Sequence, residues 1–183
     1  SYYYKNNNDF TIRTVKDDSR SRKPSYIYNQ IKMDSLEKWT INNLALYLWD
    51  KTKIHYDDIC DAFYKYHIGT STHSYTKDAC IFWLTDTLGN TRSGKIIQYD
   101  FETGKRVRTE PAVRWMHTTL KLKNYNLKPC LFGEHLLSMN KSMPVAVVES
   151  EKTALIQSLF NKDYIWLSTG GKGNLNDRVK NVL

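Results

Sequence analysis

The chain has 183 residues, of which 40% are hydrophobic and 25% charged, with a net charge of +8, a balance that suits one soluble globular domain with its own core and a small appendage at most. No apolar run approaches the roughly 20 residues of a membrane span, and the polar, aromatic start Ser1–Asn8 has no basic-then-apolar leader pattern, so neither a membrane segment nor a secretory leader is expected. Cys60, Cys80 and Cys130 are odd in number and form no C-x-x-C pair; a disulfide framework and a cysteine zinc site are not expected, and three reduced thiols in a cytoplasmic protein are.

The charge is unevenly placed. Residues 92–128 hold nine Lys/Arg against three acids, and residues 1–33 hold seven against three. A local basic field of this kind concentrates polyanions and makes their binding salt-dependent, although a solvated basic surface has the same composition.

In chain order, residues 1–33 lack apolar periodicity and predict an extended arm, leaning on the domain through Tyr2, Tyr3, Tyr4, Phe10 and Tyr26 or partly disordered. Thr40 is placed to cap a helix carrying Ile41, Leu44, Leu48 and Trp49 at helical spacing. A second helix is expected over Tyr56–Tyr66, with Gly69 as its terminator. The period then changes. Ala79–Leu84, Arg92–Tyr99, Lys105–Thr109 and Val113–His117 read as strands of an antiparallel meander. Arg106 and Arg108, two apart, would share one strand face.

The last third reads as a short helix over Glu134–Met139, then strand–helix–strand–helix. Val145–Val148 is a continuous apolar run typical of a strand buried on both faces. Ser150 caps a helix to about Phe160, Tyr164–Leu167 is a second strand, and Leu175–Leu183 starts another helix. The two strands should be parallel. The expected organisation is an arm (1–33), a mixed N-terminal subdomain (34–143) and the beginning of an α/β subdomain (144–183).

Glu149 follows the first of these strands and precedes a helix N-terminus. Open α/β sheets hold ligands at such strand ends, and helix N-termini favour phosphate. A carboxylate beside a phosphate site is what Mg²⁺ prefers; equally, Glu149 or Glu151 is a first-turn acid favourable to the helix dipole. Gly170-Gly171-Lys172-Gly173 lacks the Lys-[Ser/Thr] ending of a P-loop, so Gly170, Gly171 and Lys172 read as a backbone cradle for a phosphate or metal-bound ligand. Arg92, Lys95, Arg106, Arg108, Arg114, Lys121 and Lys128, interleaved with Trp115, His117 and Tyr125, are candidate contacts to a single strand. The histidines have no zinc-site spacing, and His117 and His135 read as structural.

Val145-Ala-Val-Val-Glu149-Ser-Glu151-Lys152-Thr-Ala-Leu155 resembles the first motif of the Toprim domain of bacterial-type primases, topoisomerases and related nucleases. Trp166-Leu-Ser-Thr169-Gly170-Gly171 resembles the next Toprim strand and its turn. Phe82–Lys95 resembles the segment that precedes Toprim in primase cores, and Cys130-Leu-Phe132-Gly133-Glu134-His135-Leu136 resembles the short segment just before the catalytic strand. The four pieces occur in the same order as in primase-like proteins of bacterial mobile elements and cover about residues 40–183.

The resemblance implies a Toprim-like fold cut short, with Glu149 as the metal-linked general acid/base. It implies Mg²⁺ or Mn²⁺ as cofactor in a longer protein, single-stranded DNA template and nucleotides as partners, and possible service to a replicative helicase. The activity implied is RNA primer synthesis by nucleotidyl transfer, with a non-catalytic nucleic-acid-binding module or a Toprim-type nuclease as alternatives. Two features depart from the family. Ser150 replaces a common Gly, and the family's metal-binding Asp-x-Asp pair would lie beyond residue 183, so these residues alone are expected to be inactive. The zinc ribbon of primases has no counterpart in this sequence.

Overall fold

The computed structural model describes residues 5–6, 9–10, 23–108, 113–176, 179 and 182–183. It is a mixed α and β structure with six α-helices and an antiparallel four-stranded sheet among the described residues. A two-residue ladder, β1 (Lys5–Asn6) with β2 (Asp9–Phe10), stands apart from that sheet.

The arm is only partly extended. Residues 23–28 dock through Ile27 N–H to the Thr91 carbonyl (2.8 Å) and Ser25 N–H to the Asn126 carbonyl (3.0 Å). Then α1 (Asn29–Leu36) forms where no helix was expected. Its buried residues are Lys32, Ser35 and Leu36, a mixed set that leaves no apolar stripe to read. Ser35 Oγ accepts a bond from the Trp83 indole (2.8 Å), so the helix is held by a polar contact as well as by packing. The side chains of Tyr2, Tyr3, Tyr4 and Phe10 lie outside the described residues.

The cap of α2 (Asn43–Lys51) is Asn42 rather than Thr40: its Oδ1 accepts from Leu44 N–H (3.0 Å) and Ala45 N–H (3.4 Å). Asn42 is wholly buried and donates to the Gly69 carbonyl (3.1 Å), so one side chain caps a helix and anchors a strand. Leu44 and Leu48 enter the core as the spacing predicts, whereas Ile41 and Trp49 are exposed. The next helix, α3 (Tyr56–Lys65), buries Ile59, Ala62 and Phe63.

The four-stranded sheet runs β3 (Ile68–Thr70), β4 (Cys80–Thr85), β5 (Thr91–Ile97), β6 (Arg114–Trp115), each antiparallel to its neighbour. Gly69 therefore sits in a strand and does not end a helix. A Cβ there would lie 2.1 Å from Ser35 Oγ, so the glycine permits the close approach of α1. Every residue of β4 is buried because its two faces feed two cores. Ile81 and Trp83 pack with Ile27, Leu36 and Met116, while Cys80, Phe82 and Leu84 face α2, α3 and the C-terminal third. The β4–β5 turn is organised by Asp86, whose carboxylate accepts from Leu88 N–H (3.0 Å), Asn90 N–H (2.8 Å) and Arg92 Nε (2.8 Å).

The strand expected over 113–117 is shortened to β6, and the one expected over 105–109 is replaced by less regular chain over the described residues 105–108. Asp100 closes a turn through Thr103, and a single bridge, Tyr99 to Arg106, follows. Arg106 and Arg108 thus do not share the face of a regular strand; Thr109 lies outside the described residues. After β6 the chain turns at once into α4 (Met116–Thr119).

In the last third, α5 (Leu136–Met139) leads to β7 (Val145–Val148), α6 (Glu151–Phe160) and β8 (Ile165–Ser168). As the sequence predicts, Ser150 Oγ caps α6 by accepting from Thr153 N–H (3.1 Å), and β7 and β8 are parallel, Val145 opposite Ile165 through Val148 opposite Ser168. They form a sheet of their own. The outer edge of β8 is satisfied by the Tyr66 hydroxyl, which accepts from Trp166 N–H (3.2 Å), and by an antiparallel bridge from Phe132 to Ser168. Among the described residues β7 pairs only with β8, and it is half-buried instead of buried on both faces. Of the expected C-terminal helix, residues 177–178 and 180–181 lie outside the described residues; Val179 is buried in the core.

His67 and His135 stack face to face, centroids 4.0 Å apart and planes 9° from parallel. His135 Nε2 donates to the Lys65 carbonyl (2.9 Å), and His67 Nδ1 meets Thr85 Oγ1 (3.2 Å). Burial first, then the charge of its partner, holds His67 down to about 3, and burial holds His135 down to about 4. The folded protein keeps both rings neutral where the unfolded chain takes up protons, below the ordinary value near 6.5. Stability is therefore complete above about pH 6.5 and falls on acidification towards pH 4, by roughly 1.4 kcal/mol per pH unit for each histidine. Urea unfolding at several pH values should show this slope, and His67→Phe, which keeps a stacked ring without a titratable nitrogen, should cut it by about half; an unchanged slope would exclude the pair as its source.

Candidate functional site

Glu149 is the residue that follows β7. Its backbone carbonyl accepts from Ser168 Oγ (3.1 Å), and Thr169 N–H continues the parallel pairing to the Val148 carbonyl (3.1 Å). The ends of both parallel strands are thereby held side by side, with Glu149 at one and Gly170 at the other. Ser150 then starts α6, and Glu151 opens its first turn. This is the end of an α/β unit where ligands bind.

The opposite wall comes from the antiparallel sheet. Lys95, in the middle of β5, is buried and reaches across to Glu151 Oε1 (2.7 Å) and the Gly170 carbonyl (2.8 Å). Gly170 has φ +73°, and a Cβ on it would stand 2.1 Å from Lys95 Nζ and 2.8 Å from Glu151 Oε1. Glycine is required there both by the backbone and by the ammonium. The Lys95 ammonium also lies 5.6 Å from the centre of the Trp115 ring.

Between the two walls lies a groove of about 370 Å³, lined by Lys95, Tyr99, Arg106, Glu149, Lys152 and Gly171 among others. The Glu149 carboxylate is exposed to it. Lys152 is partly sunk: its ammonium donates to the Gly104 carbonyl and lies 5.1 Å from the Tyr99 ring centre and 5.8 Å from that of Tyr47. Burial lowers its pKa. The charge set is thus one open carboxylate in a groove shared with Arg106 and Lys152, beside a lysine already neutralised by Glu151.

The structure brings Lys95, Arg106, Glu149, Gly170 and Gly171 into this groove. Arg114 and Lys121 line a neighbouring one. Arg92 is committed to Asp86 (2.8 Å) and stacks over Tyr26 (4.9 Å), and Arg108, Lys128 and Lys172 line neither groove. The Gly170 amide donates to Ser168 Oγ (3.0 Å), and Thr169 Oγ1 and Asn174 Nδ2 hold the turn to the carbonyls of Gly171 and Thr169. The loop is therefore shaped by its own hydrogen bonds. Lys152 and Tyr99 are the groove residues that sequence reading missed. Lys152 stands three residues after Glu149 at the start of a helix, a spacing that a solvated first-turn lysine shows as well.

Metal fits these residues poorly. Of the two carboxylates lining the groove, Glu151 is bound to Lys95, and among the described residues no three His, Cys, Asp or Glu gather as a ligand set. Metal-assisted phosphoryl chemistry needs several carboxylates to place its ions. No described helix is long and apolar enough to cross a membrane.

Residues 42–183 match the family described as a domain of unknown function, DUF6371. The chain belongs to this family. The DUF6371 match starts at Asn42, the buried cap of α2, and takes in both walls of the groove. No curated protein and no solved structure matches the chain.

The ion pair across the groove is open to a direct test. Breaking a buried pair by removing one partner costs about 3–5 kcal/mol, because the other charge is left unpaired. Lys95→Met should destabilise the protein by that order in denaturant titrations, and Lys95→Met combined with Glu151→Leu should recover most of the loss. Additive single effects would show that the two side chains do not depend on one another.

Proposed function

We propose that the chain binds single-stranded nucleic acid in the Glu149 groove, as part of a primase-like protein of Toprim type that carries out metal-dependent nucleotidyl transfer. The observation that carries this reading is the exposed Glu149 carboxylate at the C-terminal end of a parallel strand, in a groove of about 370 Å³ that Arg106 and Lys152 also line. Cations along such a groove track phosphates and release counterions on binding. The acid is where a reacting phosphate would meet it, next to a capped helix start.

A second reading, a binding module without turnover, is favoured by the single uncommitted carboxylate among the described groove residues. Under the catalytic reading, the remaining metal-holding carboxylates come from outside these residues. A Toprim-type nuclease would use the same acid to lose substrate rather than extend it.

Fluorescence anisotropy with a labelled single strand should show affinity that falls steeply with salt, and Arg106→Gln should lower the slope of log K against log salt by about one. Equal affinity and slope for the two proteins would take the groove off the nucleic-acid path. In a protein carrying the remaining carboxylates, Glu149→Gln should abolish ribonucleotide incorporation in Mg²⁺ or Mn²⁺ with its melting temperature unchanged. Retained turnover would make Glu149 only a favourable helix-start acid.

A further inference from the structure

A second hollow adjoins the groove at Lys95. Lys95, Glu151 and Gly170 also line this hollow of about 350 Å³, which runs past Pro129 and Thr169 to Trp115 and Val113. Trp115 and Val113 in turn line a third hollow of about 370 Å³, together with His73, Tyr75, Arg114 and Lys121. The three hollows adjoin one another through these shared wall residues and form a row, called the trough below, with Glu149 lining the first and Tyr75 the last.

The far end has a distinct chemistry. Tyr75 is 84% exposed, the largest value among the aromatic side chains described as exposed. The exposed His73 ring stands 5.7 Å from it, tilted by 37°. Among the described residues no carboxylate lines this hollow, whereas Arg114 and Lys121 do, with the hydroxyls of Thr118 and Thr119. An aromatic ring held in water beside cations has little to gain from solvent, and it offers a π-face to any planar base whose phosphates the cations hold. Hydrophobic packing does not account for Tyr75, since its ring lies outside both cores.

We propose that Tyr75, with His73, is a base-stacking platform at which a single strand enters or leaves the trough, Arg114 and Lys121 holding its phosphates and Trp115 lining the way towards Glu149. The occupant is unpaired nucleic acid, because a duplex keeps its base faces stacked and out of reach. The inference rests on the reading of the Glu149 groove as a nucleic-acid site and adds to it the place and the residue that hold bases.

The test uses a fluorescein-labelled oligothymidylate of about twelve nucleotides, within the usual span of single-strand sites, and a strand of the same length with abasic sites in place of the bases. Both carry the same phosphates. The unmodified protein should prefer the base-bearing strand by roughly ten-fold, the size of one stacked base. Tyr75→Ala should lose that preference while keeping its affinity for the abasic strand and its salt slope, and Tyr75→Phe should restore the preference. No preference in the unmodified protein, or a preference that survives Tyr75→Ala, would overturn the platform and leave the Glu149 groove reading standing. Failure to bind either strand would remove the groove reading itself. Equal competition by polyglutamate would show a general polyanion surface and overturn the platform as well.

Discussion

A buried ammonium group helps to join the two halves of this molecule. Lys95 lies in the centre of the antiparallel sheet, yet its Nζ ends against Glu151 at the start of α6 and the carbonyl of Gly170 after β8. No strand pairing joins β5 to β7 or β8, so the relative placement of the two sheets falls to side chains. Apolar packing brings the sheets together without fixing their offset, because apolar contacts are non-directional. A buried charge held between two fixed acceptors is directional, and misplacing it costs several kcal/mol. The pair, together with the Lys152 contact to the Gly104 carbonyl, therefore holds the two walls in place, with glycine the one residue type that fits at position 170 beneath the Lys95 ammonium.

Much of the C-terminal third was legible in the sequence for a plain reason. A run such as Val145–Val148, ended by a Ser cap and an amphipathic helix, has few alternative folds, and the parallel pairing follows from the helix between the strands. The N-terminal part was harder to read. Helix α1 buries Lys32 and Ser35, whose sequence signal is that of a surface. Asn42 displaced Thr40 as cap because its amide also satisfies Gly69 and Thr70, partners 27 and 28 residues away that no local pattern contains. The strand expected over 105–109 failed because Asp100 closes the turn with its own hydrogen bonds, leaving a single bridge.

At the site, the position of Glu149 could be read, since a strand end is a local feature. The roles of the cations could not. Arg92 and Lys95 looked alike as neighbours on a basic strand, yet each is bound to an acid, Asp86 in one case and Glu151 in the other. The other cations that line the hollows are Arg106 and Lys152 near the acid and Arg114 and Lys121 further along. Net charge therefore overstates the field in the trough and understates how sharply it is patterned, because the buried Lys95–Glu151 pair is part of the wall and carries no net charge.

The two sides of that pair are 56 residues apart in the chain, and the Gly170 contact spans 75. Closing loops of such length costs entropy that only the finished contacts repay. Local openings that part the C-terminal strand–helix–strand from the meander would erase the groove while each part kept its own hydrogen bonds. Ligand that spans both walls would oppose such openings by mass action, so occupancy and cohesion of the two halves are coupled quantities in this molecule.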